Sequence, residues 1–132
     1  IIEKFPNVDF NLHVCGGNAH RKRGFFGKYT DMIEAFKILK VNEIHLEHCS
    51  LHYKMLDIFD EWKFDGRVSL GVIDQRIDNT ENEEDIIKAI QPALEYFPKE
   101  KILLTSECGF GHVPIDIVRS KIKMLVSTAK KL

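Results

Sequence analysis

The sequence has no long apolar run, no excess of charge of one sign and few cysteines, and each shortage excludes a class of protein. Among its 132 residues, 19 Lys and Arg nearly balance 20 Asp and Glu, so no strong field attracts nucleic acid or an anionic membrane. No uninterrupted apolar segment is long enough to span a bilayer. Hydrophobic residues at 44% and charged residues at 30% indicate one soluble globular domain with a modest core.

The cysteine count indicates the redox environment. Cys15, Cys49 and Cys108 are an odd number at wide spacing, which fits reduced thiols or metal ligands better than a disulfide framework. We therefore expect a cytoplasmic protein. The chain begins with Ile1 rather than Met, so we also expect a piece of a longer protein or a processed product.

The apolar pattern alternates between a period of two and a period of about 3.6 residues. Short aliphatic or β-branched segments predict strands at 8–14, 43–47, 67–73 and 102–105. A helical stripe follows each strand, and Pro92 predicts a kink or an early stop in the third helix. The predicted helix faces in the core are Met32, Ile33, Phe36 and Leu39; Leu51, Met55, Ile58, Phe59 and Trp62; Ile86, Ile87, Ile90 and Leu94; Ile115, Val118, Ile122, Leu125 and Val126.

Four successive strand–helix units predict an α/β fold with parallel strands and right-handed crossovers. Two closures of the sheet are open: a doubly wound sheet, or four of the eight units of a (β/α)₈ barrel, which needs about 250 residues. In the second case the chain is half of a TIM-type barrel. Its two unpaired strand edges then predict a partner that supplies the missing half, or a homo-oligomer.

Potential metal ligands collect where three predicted strands end, and parallel pairing brings these ends to one face of the sheet. His13 and Cys15 lie two residues apart, so both side chains point to the same side of an extended strand. Glu47 ends the second strand and Cys108 follows the fourth. One nitrogen, two sulfurs and one oxygen favour zinc in tetrahedral geometry. The alternatives are packing for the cysteines and an ion pair with a Lys for Glu47.

These segments resemble the zinc-ligand motifs of the cobalamin-independent methionine synthase family. The motifs are His13-Val14-Cys15, Glu47 at the end of Ile-His-Leu-Glu, and Ser106-Glu107-Cys108-Gly109, and Gly71-Val72-Ile73-Asp74 resembles a further family segment. The loop after Cys15 is more similar to the short, less characterised relatives. The resemblance implies that residues 1–132 are a single catalytic-domain fragment, the final four units and carboxyl-terminal half of the family's barrel.

The resemblance also implies a reaction and its cofactor. Zinc held by His13, Cys15, Glu47 and Cys108 would bind a substrate thiol and keep it as a nucleophilic thiolate. In the family the thiol is homocysteine, and the methyl donor is a methyltetrahydrofolate, with no corrinoid between them. The small-molecule partners predicted from the resemblance are therefore a homocysteine-like thiol and a folate-like methyl donor.

One position departs from the family pattern. After the segment that ends at Asp74, full-length synthases carry a histidine thought to help protonate the folate nitrogen, whereas this chain has Gln75 and Arg76. Asp74 becomes the candidate that supplies or relays the proton, and Arg76 the candidate that holds an anionic group. The alternative for both is a simple ion pair at the end of a strand.

Two further groups of residues are weaker candidates. The basic segment 20–23, within the glycine-flanked loop after Cys15, would either fold over an anionic substrate or, as we favour, remain a solvated loop. His45, His48 and His52 lie near Glu47, and one of them is a candidate to orient a metal ligand. Most histidines so placed serve packing.

Two other functions remain open on sequence grounds. One is a metal-binding half-barrel without turnover that assembles with a partner chain. The other is a metal-free, decarboxylase-like relative whose pocket takes an anion. Zinc content separates the metal-free alternative from the methyltransferase, which predicts about one zinc per chain.

Overall fold

The strands form one parallel sheet in the computed structural model, which describes residues 2–25, 27–51 and 54–132. The strands are β1 (Asn11–Val14), β2 (Glu43–Glu47), β3 (Arg67–Ile73) and β4 (Ile102–Ser106). Each strand pairs in parallel with the next along the sequence, so the sheet order is β1-β2-β3-β4. The predicted α/β class and parallel pairing are confirmed, although β1 is shorter than the predicted strand 8–14.

A helix follows each strand: α1 (Ile33–Ile38), α2 (Ile58–Glu61), α3 (Glu83–Ile90) and α4 (Ile115–Ala129). α1 and α2 are short, because 3₁₀ turns take the place of their expected first turns. α3 gives way to a 3₁₀ turn that contains Pro92, which confirms the predicted early stop. In the described part of the chain, no helix combines the length and the apolar character needed to cross a membrane.

The helices cover one face of the sheet and bury its apolar side chains. Alternate residues of β2 and β3 point to this face and are fully buried. They pack in one apolar cluster with side chains from α1, α2 and α3. The buried strand residues are Ile44 and Leu46 of β2 and Val68, Leu70 and Val72 of β3; the helix residues include Phe36, Ile58, Phe59, Ile86 and Ala89.

The opposite face of the sheet is mostly polar. The register places His13, His45, Ser69 and Leu103 side by side across the four strands, and pleating turns all of them to this face. Leu103 is 37% exposed there. The sheet thus has a covered face, which supplies the core, and a polar face, which carries the candidate site.

α4 exposes apolar residues that the sequence assigns to the core. Ile115, Ile122 and Val126 are 61%, 44% and 47% exposed, so their predicted burial is wrong. α4 lies at the end of the sheet, where α3 and β4 are its main neighbours, and these cover one side of it. The same correction applies at helix ends elsewhere, where the predicted core residues Met32, Leu39 and Leu94 are exposed.

Candidate metal centre

Three of the predicted ligands meet at the carboxyl end of the sheet. His13 is in β1, Cys15 follows β1, and Cys108 follows β4. Their ligand atoms all lie within 4.8 Å of one another, and the two Sγ atoms are 3.8 Å apart. In a flat sheet the two outer strands would be about 14 Å apart, at three strand spacings. The sheet and its loops therefore curl inward at this end, and the curl brings the three side chains together.

The spacing of these side chains fits a zinc ion. Two sulfurs bonded to zinc at about 2.3 Å in tetrahedral geometry stand about 3.8 Å apart, which is the separation observed. All three cysteines of the chain are free thiols. Burial raises the pKa of the Cys108 thiol, and the Cys15 sulfur adds to this rise. A nearby cation would oppose this rise, because it favours the thiolate.

Glu47 ends β2, as predicted, but it lies outside this group of three. It is fully buried. Its carboxylate accepts hydrogen bonds from the Gly16 backbone N–H at 3.1 Å and from Asn18 Nδ2 at 2.5 Å, and it pairs with Arg23 Nη2 at 2.9 Å. All three partners come from the loop that follows Cys15. Whether Glu47 binds zinc therefore stays a prediction.

The basic loop is held against the site, so the favoured prediction of a solvated loop is wrong for two of its arginines. Arg21 donates to the carbonyls of Gln75 and Arg76 at 3.1 and 2.9 Å and pairs with Asp78. Arg23 reaches Glu47 by passing close to Gly16, where an added Cβ would lie 2.5 Å from Arg23 Nε. A side chain at position 16 would therefore force Arg23 to shift from this path.

Asp74 and Arg76 form the ion pair that the sequence left as an alternative. Arg76 donates to both carboxylate oxygens of Asp74, at 2.8 and 2.9 Å, and its Nη2 also reaches Glu107 at 2.6 Å. The Asp74 backbone N–H donates to Glu81 Oε1 at 2.8 Å. Asp74 and Arg76 are thus fixed in place beside a second buried carboxylate.

Glu107 is a part of the site that sequence reasoning missed. It is fully buried, and its Oε1 accepts from the backbone N–H groups of His48 and Ser50 at 3.2 and 2.6 Å. Burial raises the pKa of Glu107, and Arg76 opposes this rise. Gly71 makes room for it, because an added Cβ at that position would lie 2.6 Å from the Glu107 Cα. Gly71 and Glu107 both lie in segments that resemble the family, but the sequence does not show that the two residues are in contact.

A buried lysine connects the longest helix to this network. Lys121 of α4 is fully buried and donates to the Asn79 carbonyl at 2.6 Å and to both Glu81 carboxylate oxygens at 3.0 Å. Glu81 in turn accepts from the Asp74 backbone N–H. α4 and the loop that carries Asp74 therefore share one buried ion pair.

Of the three histidines near Glu47, His45 contacts a candidate ligand. His45 Nδ1 lies 2.8 Å from His13 Nδ1, and burial lowers the pKa of both imidazoles. His48 points to the covered side, where its Nε2 contacts the Ala89 carbonyl. His52 lies outside the described residues. The contact follows from the strand register, because His13 and His45 are direct neighbours on β1 and β2.

Residues 6–131 match the family model described as the catalytic domain of cobalamin-independent synthase. The methionine synthase of Saccharolobus solfataricus is 27% identical over 127 residues, which cover 96% of this chain and 35% of that protein. The methionine synthase of Sulfolobus acidocaldarius is 28% identical over 123 residues, which cover 93% of this chain and 33% of that protein. The chain thus spans about a third of the length of these curated relatives.

A solved structure shares the fold. It is a B12-independent methionine synthase from Shewanella sp. W3-18-1, determined in complex with selenomethionine, and it matches with a TM-score of 0.76 at 19% identity. The match covers 95% of this chain and 38% of that one. Between the two closures left open by the sequence, this likeness favours the half-barrel and confirms its fold class.

Proposed function

The chain belongs to the cobalamin-independent synthase family through the catalytic domain of that family, and from this premise we propose that it takes part in methyl transfer to a thiol. We propose that residues 1–132 form the zinc-binding, carboxyl-terminal half of a methyltransferase barrel. Homocysteine is the leading acceptor and methyltetrahydrofolate the leading donor. The reduced thiols favour a cytoplasmic location for this chemistry.

The observation that carries the proposal is the cluster of one imidazole and two thiols at the carboxyl end of the sheet. His13, Cys15 and Cys108 would hold a zinc ion, because their donor atoms are of the right kind and the sulfurs are at the right separation. A zinc ion held there would supply Lewis-acid chemistry, which would lower the pKa of an incoming thiol. The protein's own part is to hold the two thiols and the imidazole on one side of a curled sheet.

We propose Glu47 as the fourth ligand. A fully buried carboxylate needs a cation, and Arg23 fills this need in the structure. Arg23 lies on the loop after Cys15, so it can move away from Glu47 without a change in the sheet. Arg23 would be the cation that holds Glu47 in place when no metal is bound.

We propose that Asp74 and Arg76 act on the methyl-donor side. Arg76 uses Nε and Nη2 to hold Asp74 and Glu107, and its Nη1 makes no hydrogen bond within the described part of the chain. That group is the candidate to bind an anionic portion of a substrate. Asp74, held by Arg76 and by Glu81, is the candidate to move a proton to the leaving group.

The partner in this proposal is the rest of the barrel. β1 and β4 are the outer strands of the described sheet, and Leu103 on the polar face of β4 is 37% exposed. Further β/α units, from the same chain or from another copy, would complete this face. A non-catalytic assembly module would use the same edges, and it differs in having no methyl transfer after the missing half is added.

Zinc analysis with matched cysteine variants tests the proposal. We expect about one zinc per chain in the unaltered protein, and loss of tightly bound zinc in Cys15→Ser and Cys108→Ser. Cys49→Ser is the control, because Cys49 is a free cysteine outside the cluster and should leave zinc content unchanged. Equal zinc in all four proteins would remove Cys15 and Cys108 as ligands and with them the basis of the proposal. Absence of zinc from the unaltered protein would favour the metal-free relative.

Transfer itself is tested on the protein with a complete barrel. Labelled methyltetrahydrofolate and homocysteine should give labelled methionine, and the two ligand-cysteine variants should lose this activity. Zinc binding without any transfer to homocysteine would point to a different thiol or to the assembly module.

A further inference from the structure

A chain of two hydrogen bonds runs from a candidate ligand across the polar face of the sheet. His13 Nδ1 and His45 Nδ1 are 2.8 Å apart, and His45 Nε2 lies 2.8 Å from the Ser106 carbonyl oxygen. The chain therefore connects β1, β2 and β4. Ser106 is two residues before Cys108, and its hydroxyl donates to the Cys108 carbonyl at 2.8 Å.

The Ser106 carbonyl determines which ring nitrogens of the two histidines carry protons. A carbonyl oxygen can only accept, so His45 Nε2 must be the donor to Ser106. A neutral imidazole carries one N–H, which leaves His45 Nδ1 as an acceptor. His13 Nδ1 must then be the donor in the contact between the rings. His13 keeps its one free lone pair on Nε2.

Neighbouring polar groups do not compete for His45. Two carboxylates lie on its own strand. Glu43 accepts from Ser69 Oγ at 2.5 Å and from Arg67 Nε at 3.2 Å, and Glu47 is held by the loop after β1. Both Glu43 oxygens therefore have partners away from His45. The two ring nitrogens of His45 are left to the contacts described above.

We propose that His45 is a positioning residue that holds His13 in the Nδ1–H tautomer and presents Nε2 as the nitrogen that binds zinc. This inference rests on the proposed function. A metal-binding histidine is commonly fixed in this way by an acceptor on its other nitrogen. Here the acceptor is a second histidine, and the Ser106 carbonyl that anchors it lies on the strand that leads to Cys108. One relay thus sets the orientation of His13 relative to a sulfur on the opposite edge of the sheet.

The tautomer is tested on the zinc-free protein by two-bond ¹H–¹⁵N correlation spectra of the histidine rings. We expect His13 to show a protonated Nδ1 and an unprotonated Nε2, and His45 to show the reverse. His13→Ala and His45→Phe assign the signals. A spectrum with His13 protonated on Nε2 would overturn the proposal, whatever the protein does with zinc.

Zinc affinity is tested with three variants. His45→Phe removes the acceptor and should weaken zinc binding by about 10- to 100-fold. His45→Gln offers an amide oxygen to His13 and an amide N–H to Ser106, and it should restore most of the loss. His112→Phe is the control, since His112 is exposed and stacks on His20 instead of a ligand.

The possible outcomes separate the two proposals. Wild-type affinity in His45→Phe would overturn the positioning role and leave the zinc site standing. Equal losses in His45→Phe and His45→Gln would also overturn it, because shape alone would then explain the effect. Failure of the unaltered protein to bind zinc would overturn the proposed function and the role of His13 Nε2, while the spectra would still decide the tautomers.

Discussion

The two faces of the sheet have different roles in this molecule. On β2 and β3, residues of even number such as Ile44 and Leu70 are fully buried under the helices, and their neighbours His45 and Gly71 point to the polar face. Adjacent positions along one strand therefore have different roles. The covered face supplies stability through apolar contacts, and the polar face places charged and sulfur-bearing groups. Substitutions one residue apart should have effects of different kinds.

The largest loss of stability should come from the covered face. Leu70→Ala leaves a cavity beneath the helices and should lower the free energy of unfolding by about 3–5 kcal/mol. Urea unfolding followed by circular dichroism measures this. Zinc content of the folded fraction should stay unchanged, and a loss of zinc without a loss of stability would contradict the division between the faces.

A buried ion pair is the exception on the polar face. Arg23→Met leaves the buried Glu47 without its cation and should destabilise the zinc-free protein by about 3 kcal/mol. If Glu47 is a zinc ligand, the same substitution should cost less in the zinc-loaded protein, because the metal replaces the guanidinium. Urea unfolding with and without zinc measures both values. Equal losses in the two states would count against Glu47 as a ligand.

Gly71 lies next to Leu70 and tests the polar face directly. Gly71→Ala places a methyl group against the Glu107 backbone and should cost about 1–3 kcal/mol. It should also weaken zinc binding, because Cys108 follows Glu107. Gly109→Ala is the matched control, since a Cβ there meets no atom within 4 Å. Titration with zinc and urea unfolding of both variants distinguish a local clash from a general effect of lost glycine.

The smallest effect should come from an apolar residue on the polar face. Leu103 is partly exposed, so Leu103→Ala should change the stability of this chain by no more than about 0.5 kcal/mol. In the protein with a complete barrel, the same substitution should cost more, because the missing units would cover that position. Thermal unfolding of both forms checks this, and an equal effect in both would argue against cover at Leu103.

The sequence was sufficient for the parts of the fold that depend on local pattern. The alternation of Ile44 and Leu46 with polar residues predicted β2 at its observed bounds, and Pro92 predicted the end of α3. The prediction of burial failed for Ile122 and Val126, which are exposed. Their helical spacing would be the same whether residues of this chain or other units of the barrel cover them. Periodicity shows which side of a helix is apolar and does not show what covers that side.

The site was predictable to a similar extent. Parallel topology was enough to bring His13, Cys15 and Cys108 to one place, because it fixes where strands end. The contacts of Glu47 were not predictable, since Arg23 reaches it through a loop whose path depends on the backbone at Gly16. The role of Asp74 and Arg76 as a bidentate pair was among the alternatives, and the extension of that pair to Glu107 needed the structure.

Lys121 links α4 to the loop that carries Asp74. One side of α4 exposes the apolar residues Ile115, Ile122 and Val126, against which a neighbouring unit would pack. On its buried side, Lys121 donates to Glu81, and Glu81 accepts from the Asp74 backbone N–H. Moving the helix away from that loop would separate a buried ammonium from its carboxylate, at about 3–5 kcal/mol. A barrel unit that packed against the exposed side of α4 would therefore also constrain the position of Asp74, through this one side chain.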